Sequence, residues 1–214
     1  MTVQVKICGI TTEADYTICR AAGASWTGMV YYPGSSRHLT LDQLARLAAC
    51  DSGADTPQRV LLTVDMTGDA LAPLIAAAKP DMLQLHGRET PAEVAAIKQH
   101  FNLPVIKAIP IETAADLGQC TAWHGLADWL LFDAKTRPGQ QPGGTGHSFD
   151  WTVLAGYRGP TAWMLAGGLD ASTVGRAVAI SQAQAVDVSS GVESQPGKKD
   201  PDAIHAFIRA AQLV

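Results

Sequence analysis

A chain of 214 residues, 47% of them hydrophobic, can bury a full core, and barrels of this length commonly remain one domain. A formal net charge of −4, with both signs scattered along the chain, excludes the basic face that nucleic acids and other polyanions require. The four cysteines (8, 19, 50 and 120) form no CxxC pair and the six histidines no HxH or HxxxH cluster, so neither a disulfide framework nor a zinc site is supported.

The first strand is expected over 3–8, where Val3, Val5 and Ile7 alternate with Gln4 and Lys6 and the run closes on Cys8, just before Gly9-Ile10-Thr11. A free cysteine alone reads as a small buried hydrophobe, but at a strand end before a turn into a helix it faces the active site if strand and helix keep alternating. They do. Further strands are expected over 26–31, 59–65, 82–86, 104–109, 129–133, 162–166 and 185–189, making eight. Helix starts are marked by Thr40 ahead of Leu41, Leu44 and Leu47, and by Thr90-Pro91-Ala92-Glu93, a capping box with proline at the first helical position. Asp200-Pro201 ahead of Ile204, Phe207 and Ile208 marks another, and Gly23 and Gly53 sit where helices should stop. Runs such as 60–64 and 129–132 are apolar at consecutive positions, as strands buried on both faces are. Eight such units over residues 1–214 point to an α/β fold, a single-domain (β/α)8 TIM barrel. The alternative is an open parallel sheet, although no run has the polar alternation of an edge strand.

Unusual residues concentrate in the strand-to-helix connections: Cys8-Gly9, Tyr31 to His38, Asp65 to Asp69, His86-Gly87, Ala134 to Ser148, Ala166 to Asp170 and Ser189 to Lys199. Helix-to-strand connections such as Lys79-Pro80-Asp81 are plainer. In a barrel the first set gathers at the end of the strands where catalysis is built. Two of these loops suit phosphate, because glycines let main-chain N–H groups approach an anion and the loops after the last two strands are the fold's recurrent phosphate site. They are Gly167-Gly168 in the first and Ser189-Ser190-Gly191 in the second. One Gly-Gly pair alone reads as a tight turn; both loops in both expected places favour a phosphate-binding barrel. Gly143-Gly144-Thr145-Gly146 has the length of a lid and, equally, the composition of a surface loop.

Several segments follow one another in a familiar order. They are Lys6-Ile7-Cys8-Gly9-Ile10-Thr11, Tyr32-Pro33 to Ser35-Ser36-Arg37, Gln84-Leu85-His86-Gly87, and Phe132-Asp133 with Gly143-Gly144-Thr145-Gly146 and Phe149-Asp150-Trp151. Leu165-Ala166-Gly167-Gly168-Leu169 and Asp187-Val188-Ser189-Ser190-Gly191-Val192-Glu193 complete the series. Over nearly the whole chain this resembles the phosphoribosylanthranilate isomerases of tryptophan biosynthesis. Gly34 and Ser36 stand where that family often has lysine and proline, and His147 where lysine is frequent. The resemblance implies an Amadori rearrangement of N-(5-phospho-β-D-ribosyl)anthranilate to 1-(2-carboxyphenylamino)-1-deoxy-D-ribulose 5-phosphate. It implies Asp133 as general acid, Cys8 as general base, Arg37 on the anthranilate carboxylate, and Asp187 and Gly144 among the substrate contacts.

The chemistry suits those residue types. Opening the furanose needs a proton on the ring oxygen, and the iminium that forms makes the neighbouring C–H acidic, so one acid and one base suffice. An aspartic acid with an ordinary pKa near 3.9 is ionised at neutral pH, so the acid role requires partial burial or the anionic substrate to hold its proton. A thiol near 8.5 has the opposite need. Lys6 shares the face of Cys8 on an alternating strand and has two readings: an ammonium that lowers the thiol, or a structural ion pair, with Asp187 as a partner inside the barrel. His86 reads as a structural histidine. No step calls for a metal, a nicotinamide or a flavin, and the expected partner is a phosphorylated small molecule, bound by a monomer or homodimer. No N-terminal basic segment precedes an apolar stretch and no apolar run approaches the roughly 20 residues that span a bilayer, so a cytoplasmic protein is expected. The related isomerase of histidine biosynthesis has Asp at the first strand, where this chain has Cys8. Indole-glycerol-phosphate synthase needs catalytic Lys and Glu in a setting that Lys6 and Lys107 lack. A silent phospholigand-binding barrel would have lost the acid or the base.

Overall fold

The computed structural model describes residues 2–50, 53, 55–135 and 149–214. Eight parallel strands pair in sequence order: β1 (Gln4–Cys8), β2 (Trp26–Tyr31), β3 (Gln58–Thr63), β4 (Met82–Leu85), β5 (Val105–Ile111), β6 (Trp129–Ala134), β7 (Ala162–Leu165) and β8 (Ala185–Val188). Pairing of β1 with β8 closes the barrel, which removes the edges an open sheet would have left. Every strand falls on an expected run, with ends shifted by one or two residues. Buried parallel strands need apolar residues on both faces, and such runs are visible in sequence.

Alternate residues serve two cores. Trp26, Val60, Met82, Ile106, Leu131, Met164 and Ala185 form an apolar plug inside the barrel. Val5, Ile7, Met29, Leu61 and Leu83 pack outward with the helices, each aliphatic side chain contributing about 1.5–3 kcal/mol on full burial. Toward the C-terminal ends of the strands the interior turns polar, and Lys6, Gln84 and Asp187 are buried there.

Six α-helices are present among the described residues: α1 (Glu13–Ala22), α2 (Leu41–Ala48), α3 (Gly68–Ala78), α4 (Pro91–Phe101), α5 (Val174–Ser181) and α6 (Pro201–Gln212). Reciprocal capping boxes open α2 at Thr40 and α4 at Thr90, Asp200 caps α6, and Gly23 ends α1 in the left-handed region at φ 85°. Such a cap contributes about 1 kcal/mol. Gly53 does not end α2, which stops at Ala48 with Ala49 as its cap. Its apolar stripe runs out after Leu47, since position 51 is aspartate. Two expected helices are replaced by 3₁₀ segments, Ala114–Trp123 before β6 and Trp151–Leu154 before β7. Gly118 sits in the middle of the first, where glycine costs an α-helix about 1 kcal/mol.

The stretch from Ser189 to Lys199 is more ordered than a plain loop. A 3₁₀ turn, Ser190–Val192, leads into an antiparallel hairpin of β9 (Glu193–Gln195) and β10 (Lys198–Lys199), turned on Pro196-Gly197 with Gly197 at φ 81°. Residues 136–148, with Gly144 and the expected lid, lie outside the described residues. No helix among the described residues is long and apolar enough to cross a membrane.

Candidate active site

The C-terminal strand ends and the loops that follow them surround one cavity, lined by Cys8, Arg37, His86, Asp133, Asp187 and Ser189, among others. Five of the residues singled out in the sequence thus meet in one place. A separate hollow, around Thr2, Gln4, Gln182 and Gln184, has no Asp, Glu, Cys or His side chain in its lining.

Strand register sets the base. Lys6 lies beside Asp187 on β8, and Cys8 beside Gly28 on β2. The wholly buried Lys6 donates from Nζ to Asp187 Oδ1 at 2.8 Å, so the fold realises the ion-pair reading of Lys6. Burial works to lower the Lys6 ammonium, but Asp187 and Cys8 outweigh it and hold it raised. Burial also dominates at Cys8. It pushes the thiol up, against the downward pull of Lys6 and Lys199, and Asp187 adds to the upward shift. Both readings of Lys6 have a counterpart here, since it pairs with Asp187 and also pulls the thiol down, but burial outweighs that pull.

Gly28 makes room for both groups. A Cβ there would lie 2.8 Å from Cys8 Sγ and 3.2 Å from Lys6 Nζ. Gly28→Ala is expected to displace the sulfur, lowering turnover about 10²-fold. Overpacking should cost about 1–3 kcal/mol of stability and leave the barrel folded. Steady-state kinetics beside thermal melting checks both.

Asp133, at the end of β6, accepts the Ala134 N–H on Oδ1 at 2.8 Å, and its Oδ2 lies 3.5 Å from His86 Nε2. His86 Nδ1 is 2.9 Å from the Gln84 amide nitrogen, whereas the buried Gln84 Oε1 has no partner. This contact admits two proton arrangements. With the amide N–H donating to Nδ1, the imidazole presents Nε2–H to Asp133. With the amide turned over, Oε1 takes Nδ1–H, and Nε2 becomes an acceptor facing Asp133. The second gives Oε1 a partner. His86, expected to be structural, is therefore part of the cavity wall beside the carboxyl group.

Arg37 donates from Nε and Nη2 to Glu193 Oε1 and Oε2, both at 2.7 Å. Burial works to lower the guanidinium, and Glu193 outweighs it. Burial likewise works to raise Glu193, but Arg37 and Lys199 hold it below the usual carboxylate range. One edge of the arginine fork is thus committed, and the opposite edge, through Nη1, points away from Glu193.

The glycine loops after β7 and β8 meet. At Gly167, with φ 89°, a Cβ would lie 2.8 Å from Ala134 N and 3.2 Å from Asp133 Oδ1. At Gly191 it would overlap the Leu169 carbonyl oxygen, so the loops after β7 and β8 touch. Gly168 and Ser190 lie on these loops, and the Ser189 hydroxyl donates to the Cys8 carbonyl at 3.1 Å. The glycine loops and the thiol therefore share one rim.

The family model for N-(5'-phosphoribosyl)anthranilate isomerase matches residues 5–210. The chain belongs to that family. An N-(5'-phosphoribosyl)anthranilate isomerase of Rhodopseudomonas palustris (strain BisA53) is 46% identical, with 99% of this chain and 97% of the relative covered. The isomerase of Parvibaculum lavamentivorans is also 46% identical, with 99% of each covered. Among solved structures, phosphoribosyl anthranilate isomerase from Thermotoga maritima superposes with a TM-score of 0.88 at 31% identity, covering 99% of this chain and 100% of that one. Another isomerase of the family was solved with reduced 1-(o-carboxyphenylamino)-1-deoxyribulose 5-phosphate, and superposes with a TM-score of 0.84 at 29% identity over 99% of this chain and 100% of that one.

Within this phosphoribosylanthranilate isomerase fold, several residues of the site carried no role in the sequence reading. Gly28 had a signal, since a lone glycine inside an apolar strand marks a close approach. Lys199 and Glu193 had none, because their pairing depends on a hairpin. Lys107, buried on β5, bonds Leu85 O at 3.2 Å, Gly87 O at 2.7 Å and Glu89 Oε2 at 2.8 Å, which braces the loop that carries His86.

Proposed function

We propose that this chain converts N-(5'-phosphoribosyl)anthranilate into 1-(2-carboxyphenylamino)-1-deoxyribulose 5-phosphate, with Asp133 as general acid and Cys8 as general base. The observation that carries the reading is a carboxyl group and a thiol on opposite parts of one cavity rim, with an arginine and two glycine loops beside them. Asp133 donates its proton to the ring oxygen as the nitrogen lone pair forms the iminium and the C1–O bond breaks. The Cys8 thiolate then takes the C2 proton, giving the enolamine. Loss of the 2-hydroxyl proton and gain of one at C1 complete the ketone. His86, with Nε2 at 3.5 Å from Asp133 Oδ2, stands beside the carboxyl group and positions it.

Arg37 binds the anthranilate carboxylate through its uncommitted edge, since a planar fork matches a carboxylate in two bonds. The free oxygen of Asp187 takes a substrate N–H or O–H. Gly167, Gly168, Ser189, Ser190 and Gly191 hold the phosphate, with Gly144 as a further contact. The reading includes a cytoplasmic protein, monomeric or homodimeric, that uses no cofactor or metal. Its test is a turnover assay on freshly made substrate followed by anthranilate fluorescence. A continuing change is expected, whereas a binding-only barrel would give one stoichiometric step and overturn the reading.

Inorganic phosphate is expected to compete with substrate. Gly168→Val, which adds bulk at φ 63°, should raise the phosphate inhibition constant about tenfold or more, equivalent to about 1.4 kcal/mol. Undiminished inhibition in the folded variant would put the anion elsewhere.

A further inference from the structure

We infer that Glu193 is a positioning residue that aims Arg37 at the substrate's carboxylate, so that recognition of this group depends on the β9–β10 hairpin. The inference rests on the assignment of Arg37 to that carboxylate. Hairpin register opposes Glu193 to Lys199, and Lys199 Nζ reaches Glu193 Oε1 at 2.8 Å and Ser189 O at 3.0 Å. The Gly197 N–H adds a bond to Glu193 Oε2 at 3.2 Å. Held from behind in this way, the carboxylate has both oxygens available to Arg37 in a bidentate pair.

The arginine stem is boxed on its other side, since a Cβ on Gly9 would overlap Arg37 Cδ. A long side chain with several rotatable bonds is thereby left with one direction for its free edge. Side-chain exposure rises from 0% at Lys199 and 3% at Glu193 to 11% at Arg37. Two cations against one carboxylate leave one unmatched positive charge, and Arg37 is the member that lines the cavity. An anion entering there meets a charge-assisted donor pair already oriented, without the ordering cost a free arginine would carry.

Two substrates separate this role from a structural one: N-(5-phosphoribosyl)anthranilate and its counterpart without the carboxylate, N-(5-phosphoribosyl)aniline. Glu193→Gln puts an amide in place of one acceptor oxygen and removes the charge. It is expected to lower kcat/KM for the anthranilate substrate about tenfold, mainly through KM, and to change the aniline substrate less than about twofold. Glu193→Asp, which keeps the charge but shortens the reach, should fall between. If the aniline substrate turns over too slowly, binding of reduced product analogues with and without the carboxylate gives the same comparison. Equal losses on both ligands, or loss on neither, overturn the inference. Arg37→Ala, measured alongside, separates the two assignments. If it loses the preference for the carboxylate while Glu193→Gln keeps it, only the positioning role falls. If Arg37→Ala keeps the preference, the carboxylate assignment falls and takes the inference with it.

Discussion

Cys8→Ala is expected to lower kcat by about 10² to 10⁴, the usual worth of a positioned general base, while the barrel stays folded. The change removes one buried atom beside Gly28, about 1 kcal/mol of packing. The wild-type thiol should also show its environment directly. Burial raises it, so the thiolate that abstracts the C2 proton grows as pH rises. Alkylation of Cys8, followed site by site by mass spectrometry, is expected to be slow at neutral pH and to accelerate only at pH above the ordinary thiol range, because burial pushes the thiol up. Bound product analogue should protect it. Cys19, deeper in the core and pushed up to about 12, should remain unreacted over the same range and serves as the internal reference. Near-normal turnover in a folded Cys8→Ala protein would remove Cys8 from the base role, whereas rapid alkylation at neutral pH would overturn the burial-raised thiol and leave that role standing.

The barrel was legible because its strands are buried on both faces: runs such as Val60 to Val64 or Leu130 to Phe132 announce themselves without any tertiary information. The capping boxes at Thr40 and Thr90 were equally local. What sequence could not supply was register across the closure. Lys6 and Asp187 stand 181 residues apart, and only the pairing of β1 with β8 brings them to 2.8 Å. From sequence Lys6 was as good a thiol activator as an ion-pair member; once Asp187 shares its charge, burial decides the thiol. Arg37 was legible as a carboxylate reader in its residue type but not in its orientation, which Glu193 sets from a hairpin that composition presented as a loop. His86 reads as structural because Asp133, which it faces, is brought beside it only by strand order, although Gln84 is two residues away in sequence. Gly118 and Pro196-Gly197 are local signals, the one against an α-helix and the other for a tight turn.

Asp133→Asn is expected to abolish ring opening while sparing binding, which separates an isomerase from a phospholigand binder. Asparagine keeps the shape of the side chain, so its oxygen can accept the Ala134 N–H that now reaches Oδ1 at 2.8 Å. Its NH₂ then points toward His86 Nε2, where a donor is satisfied in the arrangement with Gln84 Oε1 on Nδ1–H. The close passage of Gly167, which leaves no space for a Cβ between the loops, is undisturbed. What disappears is a proton acidic enough to transfer, because an amide N–H cannot protonate the ring oxygen. Turnover should fall by at least the roughly 10² to 10⁴ expected of a general acid. Since ring opening precedes proton abstraction by Cys8, no enolamine should accumulate. The reduced product analogue has an open chain and needs no proton, so its dissociation constant should change by no more than about fivefold, or about 1 kcal/mol. A folded Asp133→Asn protein that binds the analogue and still turns over substrate at a substantial rate would show that the proton comes from elsewhere. His86, 3.5 Å away, would then be the first group to replace, and His86→Gln, which retains an amide near the position of Nε2, would distinguish a proton donor from a neighbour that only holds Asp133 in place.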